Sequence, residues 1–106
     1  MMPRKKLDYY AARHGIDHFA AVKMTDEECL AVCEAVGSRS FGLKDCGGRL
    51  STLIDCVTDD PQFRKKVTER LGAKGENVSE DFLLMRMADY AADEVMAAYA
   101  SIRKTA

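Results

Sequence analysis

Residues 79–104 read SEDFLLMRMADYAADEVMAAYASIRK and predict one long α-helix, because neither Gly nor Pro interrupts them. Ser79 suits the N-cap position, since its hydroxyl can accept a hydrogen bond from a free amide of the first turn. The acidic residues 80–81 complement the positive end of the helix dipole, and the basic residues 103–104 complement the negative end. At 1.5 Å per residue, such a helix is about 39 Å long.

Apolar side chains occupy almost every side of this predicted helix. One stripe alternates spacings of four and three residues, as a helix-packing seam does, and consists of Leu84, Ala88, Ala91, Val95, Ala98 and Ile102. Two other faces carry Met85, Ala92, Met96 and Tyr99, and Leu83, Met87 and Tyr90. Because so apolar a helix is unstable alone in water, other segments must cover it. The sequence therefore predicts an all-α fold, a compact bundle of five or six helices around a long C-terminal helix, with at most one short strand.

Length and composition indicate a globular protein. The chain has 106 residues, which suits a single helical domain over residues 1–106. Hydrophobic residues make up 47% and charged residues 31%, a balance that disordered chains lack. The formal net charge of -1 gives no overall attraction to nucleic acid, so such binding would need a local basic patch.

The apolar runs of the sequence are too short for a membrane span, and no signal-peptide core follows the basic start. Four cysteines without a secretion signal fit reduced thiols, so we expect a cytoplasmic location and no membrane partner.

Start and stop signals predict the other helices. Thr25 to Glu28 form a capping box, and the helix that they open ends at Gly37. Pro61 after Asp60 marks another helix start, because the first helical position tolerates a missing amide. The predicted helices cover residues 4–14, 25–36, about 49–57 and 61–71, with a linker from Lys74 to Asn77.

Two segments are less regular in the sequence. Residues 17–24 fit either a helix or a short strand. Residues 38–48 are predicted to form a glycine-containing loop in which only Phe41 and Leu43 look buried.

Cysteine and histidine pairs raise the question of a metal site. Cys29 and Cys33 stand four apart, as do His14 and His18, and four such ligands could bind zinc. Both cysteines also lie on the apolar face of their helix, where free thiols commonly pack as small core residues, and we favour that role. We therefore predict no metal and no cofactor.

Cys46, in the glycine-containing loop, is expected to be the most exposed thiol. A cysteine nucleophile needs a neighbouring base, and the sequence identifies none. We therefore predict no catalytic residue and no enzymatic activity.

Gly42, Gly47 and Gly48 precede Arg49 and a predicted helix, but the Lys and Ser or Thr of a phosphate loop are missing. Two interpretations stay open: the glycines simply make the turn, or free amides at the helix start hold one phosphate together with Arg49.

Basic residues cluster in three places and are the candidate contacts to nucleic acid or to a partner. We expect those of the Pro61–Lys74 segment to be the leading contacts and Arg4, Lys5 and Lys6 to form a flexible auxiliary patch. A similar number of acidic residues supports the alternative that they are solvated surface faces. Tyr9 and Tyr10, beside the first cluster, could stack on unpaired bases. The clusters are Arg4, Lys5 and Lys6 with Arg13; Arg39, Lys44 and Arg49; and Arg64, Lys65, Lys66, Arg70 and Lys74.

Residues 22–28, VKMTDEE, followed by a short helix ending at Gly37, resemble the strand and first helix of ribbon-helix-helix DNA-binding proteins. The resemblance implies a dimer in which residues 20–24 pair as strands. Alternate residues of that strand would read the major groove, here Phe19, Ala21 and Lys23 with His18 at the edge.

The chain is one small, helical, charged domain, and in this build, though in no motif, it also resembles the small anti-CRISPR inhibitors that phages and mobile elements encode. That resemblance implies binding to a nucleic-acid-handling complex, on its protein subunits or at its nucleic-acid channel. Our leading hypothesis is a non-enzymatic inhibitor, monomer or homodimer, that docks on a host protein–nucleic-acid complex such as a CRISPR effector. Single-stranded or duplex DNA is a further expected partner. The alternative function is a dimeric ribbon-helix-helix-like transcriptional regulator that binds DNA.

Overall fold

The computed structural model describes residues 3–73 and 79–105, and these fold into six α-helices. The helices are α1 (Arg4–Arg13), α2 (Asp26–Val36), α3 (Leu43–Cys46), α4 (Leu50–Thr58), α5 (Pro61–Ala73) and α6 (Glu80–Thr105). These residues contain no strand, so the predicted all-α bundle around a long C-terminal helix is confirmed. The predicted linker from Lys74 to Asn77 lies outside the described residues.

The long helix α6 begins as the sequence predicts and contacts most of the bundle. The Ser79 hydroxyl accepts a hydrogen bond from the Phe82 amide at 3.2 Å. The helix packs against α1, α2, α4 and α5, and the molecule is 39 Å along its longest axis. Neither α6 nor any other described helix is both long enough and apolar enough to cross a membrane.

The buried face of α6 differs from the predicted seam. Ala91 and Val95 are fully buried as expected, but Leu84 is 47% exposed and Met85 48%. A stripe with alternating four-residue and three-residue spacing drifts by about 20° per heptad around a straight helix, so it leaves the buried face towards its ends. The side chains that α6 buries are Met87, Ala91, Ala92, Val95, Met96 and Tyr99.

The helix α2 has both predicted ends. The Thr25 hydroxyl accepts from the Glu28 amide at 3.1 Å, and the Glu28 carboxylate accepts from the Thr25 amide at 3.0 Å. Gly37 ends the helix in the left-handed conformation, with φ of 77°. The inner face buries Cys29, Val32, Cys33 and Val36, as expected.

The two irregular segments form short helical turns. Residues 19–21 make a 3₁₀ turn, and the extended residues after it bring the Met24 amide within 2.9 Å of the Gly48 carbonyl oxygen. In the predicted loop, Phe41 is buried, but Leu43 is exposed because it begins α3 on the outer side. Cys46 is only 2% exposed, so the prediction of an exposed thiol is wrong: α3 turns its last residue inward against Cys29.

The buried carboxylate of Asp60 organises the start of α5. It accepts hydrogen bonds from the amides of Phe63 and Gln62, both at 3.3 Å, and from the Arg39 amide at 3.0 Å. The first two bonds satisfy amides that a helix start leaves free, and the third ties the central loop to α5. On the inner face, the predicted residues Phe63, Val67 and Leu71 are fully buried.

Candidate nucleic-acid interface

The basic residues of α5 mostly face carboxylates of α6. Lys66 donates to the Val36 carbonyl oxygen at 2.7 Å and pairs with Glu94 at 3.0 Å. Arg70 pairs with the other oxygen of Glu94 at 3.1 Å. These cations therefore hold α5 against α6 and the end of α2, and they are only partly available to a partner.

The basic residues of α1 are also largely paired. Lys6 lies 3.1 Å from Asp89, and Arg13 lies 3.8 Å from Asp93. On α5, the exposed Arg64 lies 3.5 Å from Glu80. Lys74 lies outside the described residues. Within the described part of the chain, five candidate cations make no ion pair: Lys5, Arg39, Lys44, Arg49 and Lys65.

Three basic side chains from distant segments line one surface cleft of about 520 Å³. They are Arg4 at the start of α1, Lys23 after the 3₁₀ turn, and Arg49 before α4; Phe19 and Ser51 also line this basic cleft. The guanidinium carbon of Arg4 stands 5.0 Å from the centroid of the Phe19 ring. No described residue that lines the basic cleft is acidic, so the cleft concentrates positive charge.

The N-terminus of α4 opens at the basic cleft. Arg49 is the N-cap residue, no side chain caps the helix there, and the first turn contains no acidic residue. The ladder of helical hydrogen bonds begins with the Leu53 amide, which donates to the Arg49 carbonyl oxygen at 3.0 Å. The amides of residues 50–52 precede that ladder and form the positive end of the helix dipole.

A pair of glycines positions this helix start against the segment of Lys23. Gly47 and Gly48 are both left-handed, with φ of 62° and 78°. A Cβ atom on Gly48 would lie 2.8 Å from the Met24 carbonyl oxygen, so a side chain cannot fit there. Gly47 and Gly48 therefore make the turn, which is one of the two interpretations that the sequence allowed. They also bring Lys23 close to Arg49.

The tyrosines beside the first basic cluster differ in exposure. Tyr9 is exposed and its ring meets that of Tyr10 edge to face, with centroids 5.2 Å apart. Burial, followed by the charges of Asp89 and Asp93, raises the pKa of Tyr10, so its hydroxyl stays neutral. Of the two tyrosines, Tyr9 is the one whose ring is exposed enough for a base to stack on it.

The cysteine and histidine pairs do not converge. His14 contacts Asp93 through Nε2 at 2.6 Å, whereas His18 is exposed. Cys29 and Cys33 are buried, and residues 3–73 and 79–105 contain no group of three or more side chains suited to a metal ion.

No known protein family, curated protein or solved structure matches this chain. The interpretation of the interface therefore rests on its own geometry. That geometry adds Lys23 to the candidate contacts. The sequence indicated a role for Lys23 only through the ribbon-helix-helix resemblance. No local pattern signals that Lys23 meets Arg4 and Arg49, because the three lie on separate segments of the chain.

Proposed function

We propose that this protein is a non-enzymatic inhibitor, of the anti-CRISPR type that its build resembles, and that it docks on a protein–nucleic-acid complex through the basic cleft. The observation that supports the proposal is the convergence of Arg4, Lys23 and Arg49 beside the uncapped start of α4, with no acidic residue in the lining. The sequence favours the cations of α5 as the leading contacts, but Arg64, Lys66 and Arg70 are paired with carboxylates of α6, so this proposal makes them auxiliary contacts at most.

The chemistry of the basic cleft suits a phosphodiester backbone. Guanidinium and ammonium groups, a hydroxyl and free amides at a helix start all donate hydrogen bonds to phosphate oxygens. Arg4 is available for this, since its ion pair with Asp8 at 3.4 Å is exposed and therefore weak. Phosphate contacts of this kind give affinity without sequence preference and make it fall with salt.

The proposal is tested with fluorescently labelled single-stranded and duplex oligonucleotides in an anisotropy titration at low salt. The double variant, Lys23→Glu with Arg49→Glu, should bind the oligonucleotides at least about tenfold more weakly. Because two phosphate contacts are lost, the slope of the logarithm of the binding constant against the logarithm of the salt concentration should be smaller by about 1.5–2. Lys65→Glu is the control, because Lys65 is an exposed cation on α5 without an ion pair in the described chain. An equal loss in the control, or no binding by the unaltered protein, would refute the assignment.

The inhibitory role needs a separate assay. A purified CRISPR effector with its guide and target is incubated with the protein, and target cleavage is measured. If the unaltered protein prevents cleavage and the double variant does not, the result supports an inhibitor. Nucleic-acid binding without inhibition would instead indicate a binding protein of another kind.

The alternative regulator also uses Lys23, which is exposed and could face DNA. It requires a dimer with residues 20–24 paired between chains, whereas the single chain places Ala20 and Ala21 in a 3₁₀ turn. Light scattering with and without duplex DNA separates the two proposals. A dimer that prefers particular duplex sequences supports the regulator, and a monomer bound without sequence preference supports the inhibitor.

A further inference from the structure

The four cysteines of the chain lie on α2, α3 and α4, and two of them are in contact. The sulfurs of Cys29 and Cys46 are 3.5 Å apart, and both side chains are buried. The Cys46 sulfur also lies 3.4 Å from the Gly42 carbonyl oxygen, and the other two sulfurs contact backbone atoms. Cys33 accepts from the Phe41 amide at 3.4 Å, and Cys56 lies 3.9 Å from the Asp45 carbonyl oxygen.

We propose that Cys29 and Cys46 form a redox pair, which a peroxide joins into an intramolecular disulfide, and that this bond repositions Arg49. The second half of the proposal rests on the proposed function of the basic cleft. To reach a bond of about 2.05 Å the sulfurs must approach by about 1.5 Å. Cys46 ends a helix of only four residues, so the movement can be confined to α3 and the turn after it.

The oxidation balances with hydrogen peroxide as the named oxidant. One thiol loses its proton, and its sulfur takes an oxygen atom from the peroxide, giving a sulfenic acid and a hydroxide that becomes water with the released proton. The second thiol attacks the sulfenic sulfur, forms the S–S bond and releases the second water. Two thiols are oxidised by two electrons in total, and one peroxide is reduced to two waters.

Burial sets the rate of this reaction. It raises the pKa of Cys29 to about 12, with the hydrogen bond to Cys46 as the second cause. Because the thiolate is the reactive form, oxidation through Cys29 should be slow at neutral pH and faster as the pH rises.

The backbone connects Cys46 directly to the basic cleft. The Cys46 carbonyl oxygen accepts from the Arg49 amide at 3.1 Å, and only Gly47 and Gly48 lie between them. The Gly48 carbonyl oxygen accepts in turn from the Met24 amide, which follows Lys23. A shift of Cys46 towards Cys29 should therefore displace Arg49 relative to Lys23, and we expect the disulfide form to bind polyanions on the order of fivefold more weakly.

The pair is tested by treating the folded protein with hydrogen peroxide at mildly alkaline pH, blocking the remaining thiols and mapping the peptides by mass spectrometry. We expect a monomer about 2 Da lighter before blocking, with Cys29 and Cys46 cross-linked. Cys56→Ser should retain the cross-link and Cys46→Ser should abolish it, with circular dichroism confirming that both variants are folded. Another pairing, an intermolecular disulfide or no disulfide would overturn the redox pair.

The effect on the basic cleft is tested by comparing oxidised and reduced protein in the oligonucleotide titration, with Cys46→Ser under the same treatment as the control. Weaker binding by the oxidised wild type alone supports the repositioning of Arg49. Equal binding by both forms, with the disulfide mapped as expected, overturns the repositioning and leaves the proposed function intact. Binding by neither form overturns the proposed function and the repositioning together, while the peptide map still decides the redox pair.

Discussion

Four positive side chains of the described chain lie on α5, Arg64, Lys65, Lys66 and Arg70, and the basic cleft has three. On α5 all except Lys65 face carboxylates of α6, whereas the described cations of the cleft make no ion pair with another helix. Arg64 faces Glu80, and Lys66 and Arg70 share Glu94. The basic cleft has no acidic residue among its described lining. The comparison shows that two groups of basic side chains differ in how far their charge is neutralised, because the acidic residues of α6 lie beside α5 and not beside the basic cleft.

The first prediction concerns the carboxylate that begins α5. Asp60→Ala should lower the free energy of unfolding by about 2–3 kcal/mol, because three amides lose their acceptor at a buried position. Urea denaturation measures the loss. Asp60→Asn keeps a side-chain acceptor and should cost less than the alanine variant; equal losses would show that the charge, and not the helix cap, is what α5 requires.

The second prediction would convert the face of α5 into a binding surface. Glu94→Gln removes the shared partner of Lys66 and Arg70, and should lower the unfolding free energy by about 1–2 kcal/mol at these partly screened sites. The freed cations should then strengthen oligonucleotide binding at low salt. Glu80→Gln, which frees only the exposed Arg64, is the matched control and should change stability by less than about 0.5 kcal/mol. Unchanged binding by Glu94→Gln would mean that the ion pairs with Glu94 do not limit oligonucleotide binding by the cations of α5.

The third prediction concerns the cations of the basic cleft, whose removal should have the smallest effect on stability. Lys23→Ala and Arg49→Ala should each change the unfolding free energy by less than about 0.5 kcal/mol, since both side chains are exposed. The same variants should weaken oligonucleotide binding. A loss above about 1 kcal/mol from either variant would indicate that the cation supports the fold and would remove the contrast with α5.

Local signals account for the part of the fold that the sequence predicts. Three helix starts depend on contacts within four residues and can therefore be predicted from the sequence. They are the capping box at Thr25, the Ser79 hydroxyl and the Asp60–Pro61 start. The apolar faces of α2 and α5 likewise follow from helical spacing.

Contacts between distant residues account for what the sequence does not predict. Lys66 and Glu94 are 28 positions apart, and Cys29 and Cys46 are 17 apart. No local pattern states that α6 supplies the counter-charge of α5, or that α3 turns Cys46 inward. The meeting of Arg4, Lys23 and Arg49 has the same origin, because it depends on how α1 and α4 pack around the 3₁₀ turn.

The most direct test of the central claim is an NMR titration of the ¹⁵N-labelled protein with a short deoxythymidine oligonucleotide at low salt. Binding at the basic cleft should shift the amides of Lys23 and of residues 50–52 most, and should leave those of residues 64–70 nearly unchanged. Shifts concentrated on residues 64–70, or no shifts at all, would contradict the account.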